Sequence, residues 1–247
     1  MKYLYDLLVQ LGTNPSGIRL CCAYIGGGTI QQHVAKIKDF VNAPSTLSRV
    51  FYNANGQEQW SNNNQYTHQQ IIQLDTWDLI LLQQGVTAAA QATTYDADLD
   101  YLINYVQTNA TNPNFKLGWN MTWASATIST NWPPSMGNQL AMYNGITNAV
   151  QTKILTNNNF DFVVPTGTAI QNMRAVVGDV LNSDDIHLND LGAYVASCLW
   201  IRQIVKVDVS KLTIPYQTLS VTIDSTMFNN IKNAVNNAYN FPFEVKS

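Results

Sequence analysis

The stretch Trp77-Asp78-Leu79-Ile80-Leu81-Leu82-Gln83-Gln84 decides the fold. An unbroken aliphatic run of strand length, with no polar alternation, describes a strand covered on both faces, as in a parallel sheet. Two amides close the run, an odd place for such side chains unless they have a purpose there.

The neighbouring segments fit the same plan. Upstream, Ile18 to Ile25 reads as another buried strand and runs through Gly26-Gly27-Gly28-Thr29 into a helical pattern from Ile30 to Phe40. Strand, glycine turn and helix start form the usual α/β device for presenting backbone N–H groups to a ligand. Before it, Tyr3, Leu4, Leu7, Leu8 and Leu11 share one helical face, ended by Asn14-Pro15-Ser16. Between them, Val50 to Trp60 predicts a polar hairpin about Asn53-Ala54-Asn55-Gly56, and Thr67 to Leu74 a short helix. Downstream, helices are predicted over 95–108, 140–155 and 167–176, and strands over 115–122 and 160–165. This alternation predicts a single α/β domain over 1–247, its parallel sheet covered on both faces, with 206–247 an appendage ending in a helix from Thr226 to Tyr239.

Composition narrows the function. Hydrophobic residues make up 46% of the chain and charged ones only 12%, so neutral polar side chains must cover the surface. A formal net charge of −3 with scattered basic residues gives no footprint for nucleic acid. A sugar or another neutral polar ligand fits better. Three cysteines, two of them adjacent at Cys21 and Cys22, supply neither a disulfide framework nor metal-ligand spacing, and no cofactor is expected. No apolar stretch approaches the roughly 20 residues of a membrane span. Met1-Lys2-Tyr3 opens on a helical pattern rather than a signal peptide, so the expectation is a soluble chain, periplasmic or secreted only if a leader precedes Met1.

The chemistry gathers in Ser183-Asp184-Asp185-Ile186-His187-Leu188-Asn189-Asp190-Leu191-Gly192-Ala193-Tyr194. A carboxylate three residues before a histidine can bond one imidazole nitrogen, fix the tautomer and leave the other nitrogen as a base. Asp184 and His187 have that spacing and Asp185 does not. Asn189 to Gly192 resembles a helix N-cap. The plainer alternative makes Asp184 a helix cap and His187 a packing residue.

Five blocks in order, Tyr24-Ile25-Gly26-Gly27-Gly28, Leu82-Gln83-Gln84, Trp119-Asn120-Met121-Thr122-Trp123-Ala124, Gly167-Thr168-Ala169-Ile170-Gln171-Asn172 and Asp184-Asp185-Ile186-His187-Leu188, resemble the SGNH (GDSL-type) hydrolase superfamily. The likeness is to a branch of gut Bacteroidetes similar to carbohydrate esterases. It implies a three-layer flavodoxin-like α/β/α fold and a Ser-His-Asp esterase acting on an acylated glycan. His187 would be the base and Asp184 its orienting acid. Gly27, with Gly28 adjacent, and Gln84 would donate to the oxyanion. Gly28, Gln83, Asn120, Trp123 and Trp132 are candidate substrate contacts, although packing serves Trp119 and Trp123 equally well.

Two departures qualify the resemblance. The family's first strand, which ends in the nucleophilic serine, falls just ahead of Met1, and Ser61, Ser125 and Ser135 lie in polar stretches without a strand-to-helix elbow. Asn120 also stands where relatives tend to carry histidine. His33 and His68 read as surface or supporting residues. A non-catalytic carbohydrate-binding protein, or an assembly protein that self-associates through unpaired sheet edges, is the competing reading.

Overall fold

The computed structural model describes residues 1–39, 48–54, 57–130, 136–212 and 222–246, with backbone only for 48–54 and 57–65. Trp132 and Ser135 fall outside the described residues.

The aliphatic run forms β4 (Leu79–Leu82), which pairs in parallel with β5 (Lys116–Asn120), itself parallel to β6 (Phe162–Val164). Helices α4 (Asp96–Asn109) and α5 (Gln139–Lys153) make the crossovers. Side chains alternate across this sheet. Ile80, Leu82, Leu117, Trp119 and Val163 face α4, α5 and the helix α2 (Ile30–Asp39). Leu81, Phe162 and Val164 face α1 (Lys2–Gln10), α6 (Thr166–Val177), α7 (Asp190–Trp200) and α8 (Ser225–Asn240). Gly118 lets the second layer close, because a Cβ there would lie 2.6 Å from the Phe162 ring. The fold is therefore α/β, a small parallel sheet with helices on both faces.

Two expectations need correction. Residues 18–25 do form a strand, β1 (Arg19–Tyr24), but it leads a separate antiparallel sheet with β2 (Ser48–Ala54) and β3 (Gln57–Tyr66), and its residues are exposed or half-buried. The β2–β3 pair is the expected hairpin. It takes one edge of β1, and no strand among the described residues bonds the other. For the same reason β4 is less enclosed than its sequence predicts. Both faces are covered, but no strand among the described residues bonds the edge away from β5, and only Leu82 of the four is buried.

β1 and the segments flanking β4 nevertheless meet at two places. Arg19, at the start of β1, is ion-paired to Asp75 at 2.9 Å, four residues before β4. Past the other ends, Gly85 packs on Gly28, where a Cβ would come within 2.5 Å of the Gly28 carbonyl oxygen.

The remaining helices match the sequence pattern closely. Thr67 and Gln70 form a reciprocal capping box on α3 (His68–Ile72). The C-terminal helix α8 lies on α6, where Asn172 Nδ2 donates to the Ala234 carbonyl at 3.2 Å and Asn172 Oδ1 accepts from the Lys246 amide at 2.8 Å. No helix among the described residues is long and apolar enough to cross a membrane.

Candidate active site

The Asp184–His187 segment is a tight loop, closed where the Ser183 amide donates to the His187 carbonyl at 2.9 Å. Asp184 organises it from within. Its Oδ1 accepts from the Ile186 amide at 2.8 Å and the His187 amide at 2.6 Å, and its Oδ2 meets His187 Nδ1 at 2.7 Å. The His187 amide, the imidazole and then the Ile186 amide hold this carboxyl down at about 2. Oδ2 thus remains an acceptor, so Nδ1 carries the hydrogen and Nε2 presents its lone pair. Both side chains are about half exposed, 49% for Asp184 and 55% for His187. No hydroxyl among the described residues bonds Nε2.

Three outside contacts fix where the loop points. Trp123 Nε1 donates to the Ile186 carbonyl at 2.7 Å, immediately before the histidine. The Ala126 amide donates to the Asp185 carbonyl at 2.8 Å, and Ser129 Oγ reaches the Asp185 carboxylate at 3.2 Å. Behind the loop, Asn189 caps α7 through Gly192, and Asp190 accepts the Tyr3 hydroxyl at 2.6 Å. Burial first, then Asp190, pushes the Tyr3 phenol up. The plainer alternative for Asp184 is half right: it organises a turn, but Asn189 is the cap and the aspartate also holds the imidazole.

A second charged cluster braces this loop, and sequence reasoning missed it. Arg174 of α6, its side chain 3% exposed, lies 3.0 Å from Asp179 and donates to the Ala124 carbonyl at 3.0 Å and to Asn182 Oδ1 at 2.7 Å. Asp179 also accepts from the Thr127 amide and hydroxyl at 2.5 and 2.7 Å and from Gln139 at 2.9 Å. Burial alone would raise the Asp179 carboxyl, but Thr127, Gln139 and Arg174 outweigh it and hold it below its ordinary value. The available signal was an arginine within the otherwise apolar run Met173 to Val177.

The two glutamines after β4 separate in role. Gln84 is buried: its Oε1 accepts from the Ile30 amide, at the start of α2, and from the Gly85 amide, both at 2.9 Å. Its Nε2 donates to the carbonyl and hydroxyl of Thr94, each at 3.2 Å. The carboxamide expected to donate to an oxyanion is instead tied on both sides, because it caps a helix that would otherwise start unsatisfied. Gln83 stays exposed, and its Oε1 accepts from Asn120 Nδ2 at 2.5 Å.

Gly27 has a φ of +67°, the left-handed conformation that makes glycine the natural residue in this turn, and Gly28 lies against His33 Nε2 as well as Gly85. His33 Nδ1 and His68 Nε2 meet at 2.9 Å, so these two histidines form a pair. Burial pushes both down, to about 4, helped at His68 by His33 and then Lys36. Asn120 is buried in the β5 end rather than open to a ligand, Trp119 packs between Tyr95 and Phe160, and Ser125 is buried. Among the described residues no cluster of His, Cys, Asp or Glu is arranged for a metal ion, and Cys21, Cys22 and Cys198 are free thiols.

At this geometry the comparisons with known proteins become informative. No curated protein matches the chain. A crystal structure of a DUF4886 family protein from Bacteroides uniformis ATCC 8492 is similar over 99% of this chain and 90% of that one, with a TM-score of 0.87 and 27% identity. The domain family DUF4886, described as a domain of unknown function, matches residues 1–238, and the chain belongs to that family.

Proposed function

We propose that this protein is an SGNH-type acyl hydrolase that removes an acyl group from carbohydrate. The observation that carries the reading is the Asp184–His187 pair: a carboxylate on Nδ1 leaves an exposed Nε2 as base. The left-handed glycine turn at Gly27 supplies backbone N–H groups of the kind that stabilise an oxyanion. The low charge of the chain suits a neutral, hydroxyl-rich substrate.

In this reading the nucleophilic serine stands on a strand ahead of Met1, which would pair with the edge of β4 that no described strand bonds. Nε2 takes the serine proton as Oγ attacks the ester carbonyl, then returns it to the departing sugar hydroxyl. Water, deprotonated by the same nitrogen, releases the acyl group as a carboxylate and restores the serine. His187, Asp184 and the Gly27 turn make up the machinery, while Trp123 holds the loop and Gly28 lies beside the donor.

The test is expression with the codons ahead of Met1 included, and assay on an acetyl ester and acetylated glycans. Hydrolysis that falls about 10³-fold or more in His187→Ala is expected. An inactive extended protein, or full activity in that variant, would end the assignment. A second reading, a carbohydrate-binding protein without turnover, rests on the same low charge of the chain. Calorimetry showing glycan binding without hydrolysis by the extended protein would select it.

A further inference from the structure

We propose that the cleft between α4 and the segment after α5 binds a neutral oligosaccharide, with Asp100 and Asn158 reading its hydroxyl groups from opposite walls. Binding there does not depend on the esterase reading above; only the use made of it does.

The cleft has a volume of about 450 Å³, and its two walls are built alike. One is the start of α4, where Asp96 and Asp100 lie one turn apart. The other is the end of α5 and the segment 154–159. Asp96 ties the walls together through an ion pair to Lys153. Asn157 and Asn159 brace the second wall. Asn157 Oδ1 accepts from the Asn159 amide at 3.0 Å and from Asn159 Nδ2 at 2.9 Å, and Asn159 Oδ1 accepts from Gln107 Nε2 of α4 at 3.1 Å. Each wall thus has residues spent on construction and one left over. Asp100 and Asn158 are exposed, line the cleft, and bond no described residue through their side chains.

The lining selects the ligand. Tyr95 and Leu99, 1% and 4% exposed, give the cleft an apolar floor beneath its polar walls. A sugar ring has the same division, with apolar C–H faces inside a belt of hydroxyls. A free carboxylate offers acceptors only, and a free carboxamide offers donors and an acceptor, so the two together suit hydroxyls that both donate and accept. Charge argues the same way. With Asp96 spent on Lys153, one carboxylate remains to repel an anion, and the described residues hold no cluster arranged for a metal ion. Length points to a chain of sugars: Asn159 also lines an adjoining cleft of about 400 Å³, with Gln107, Asn112 and Phe115. From Asp96 to Gln107, α4 runs roughly 16 Å.

The cleft also stands in a useful relation to the catalytic loop. Helix α5 ends at Lys153 in the cleft and begins at Gln139, which donates to Asp179 at 2.9 Å in the cluster that braces that loop. The two ends lie about 21 Å apart. On the esterase reading, a glycan anchored in the cleft would present its acylated units to His187 at a raised local concentration.

The test titrates this chain with xylohexaose, mannohexaose, cellohexaose and maltohexaose, and with hexagalacturonate as the anionic counterpart, followed through side-chain resonances. At least one neutral hexasaccharide should bind and hexagalacturonate should not. The Asn158 amide pair, identified by its loss in Asn158→Ala, should shift saturably. Asp100→Ala should weaken binding about tenfold or more and Asn158→Ala about threefold or more, because a bond to a charged group is the stronger. Both side chains are exposed and unpartnered, so both variants should keep the backbone spectrum of the parent. Binding of none of the four, preference for hexagalacturonate, affinity indifferent to both substitutions, or a shift of the His187 ring without one at Asn158 each overturns the proposal. None of these readouts involves hydrolysis. An inactive extended protein would therefore end the esterase reading alone, and failed titrations would end the cleft alone.

Discussion

Two aspartates five positions apart, Asp179 and Asp184, each have a basic partner, at 3.0 and 2.7 Å, yet the pairs have opposite characters. Around Asp179 the partner is a guanidinium, 3% exposed, and the Thr127 amide and hydroxyl and the Gln139 side chain complete the shell. Around Asp184 the partner is an imidazole that is more than half exposed, with one nitrogen uncommitted. An arginine keeps its charge and its fork of donors in any state, whereas an imidazole changes charge near neutral pH. The first pair is suited to holding a loop and the second to moving a proton. Proximity in sequence says nothing of which is which; enclosure and partner decide.

The contrast breaks most sharply at His187. In the extended protein, His187→Ala should abolish about 10³-fold or more of any esterase activity while leaving the urea midpoint essentially unchanged, because an exposed pair contributes little to stability. Equal losses of activity and stability would place the pair with the structural one. Next comes Arg174→Ala, which strands the Asp179 carboxylate and several carbonyls. About 3–5 kcal/mol of unfolding free energy should be lost, read by urea denaturation. A loss under about 1 kcal/mol would mean that water replaces the guanidinium.

The His33–His68 pair sharpens the comparison further, being imidazole chemistry under enclosure. Both folded-state values lie near 4, below the ordinary 6.5, so the unfolded chain binds more protons between those values. Stability should therefore decline as pH falls from 6.5 towards 4 and be level above that range. A His68→Phe variant should flatten this stretch. Asp184, held near 2, would be felt only below its ordinary 3.8, and weakly, given its exposure. The smallest effect is expected at Trp123→Phe, which keeps an aromatic side chain, though a smaller one, and removes one hydrogen bond to Ile186. The cost should be about 1 kcal/mol in stability, with a loop that exchanges its amide hydrogens faster.

How much of this was legible depended on the range of the interactions. Helix α4 and the run of β4 were readable because a helical face or an aliphatic strand is written in adjacent residues. Asp184 and His187 were readable for the same reason, being three positions apart. The antiparallel pairing of β1 was not, since residues 18–25 carry the apolar pattern of a buried strand and their partner, β2, lies beyond α2. Nor was the tying of Gln84, whose partners Ile30 and Thr94 lie 54 and 10 residues away. Arg174 finds Ala124 across 50 residues, and no spacing rule reaches that far.

The close approach of Gly85 to Gly28, and of Gly167 to the Thr122 carbonyl, bears on how a deep mutational scan of this protein should be interpreted. Both positions rim the end of the sheet that holds the candidate site, and both would reject every side chain, because a Cβ would collide with backbone that cannot yield. In a screen for lost activity they would score as severely as His187, and soluble yield measured alongside activity would tell the two kinds of intolerance apart.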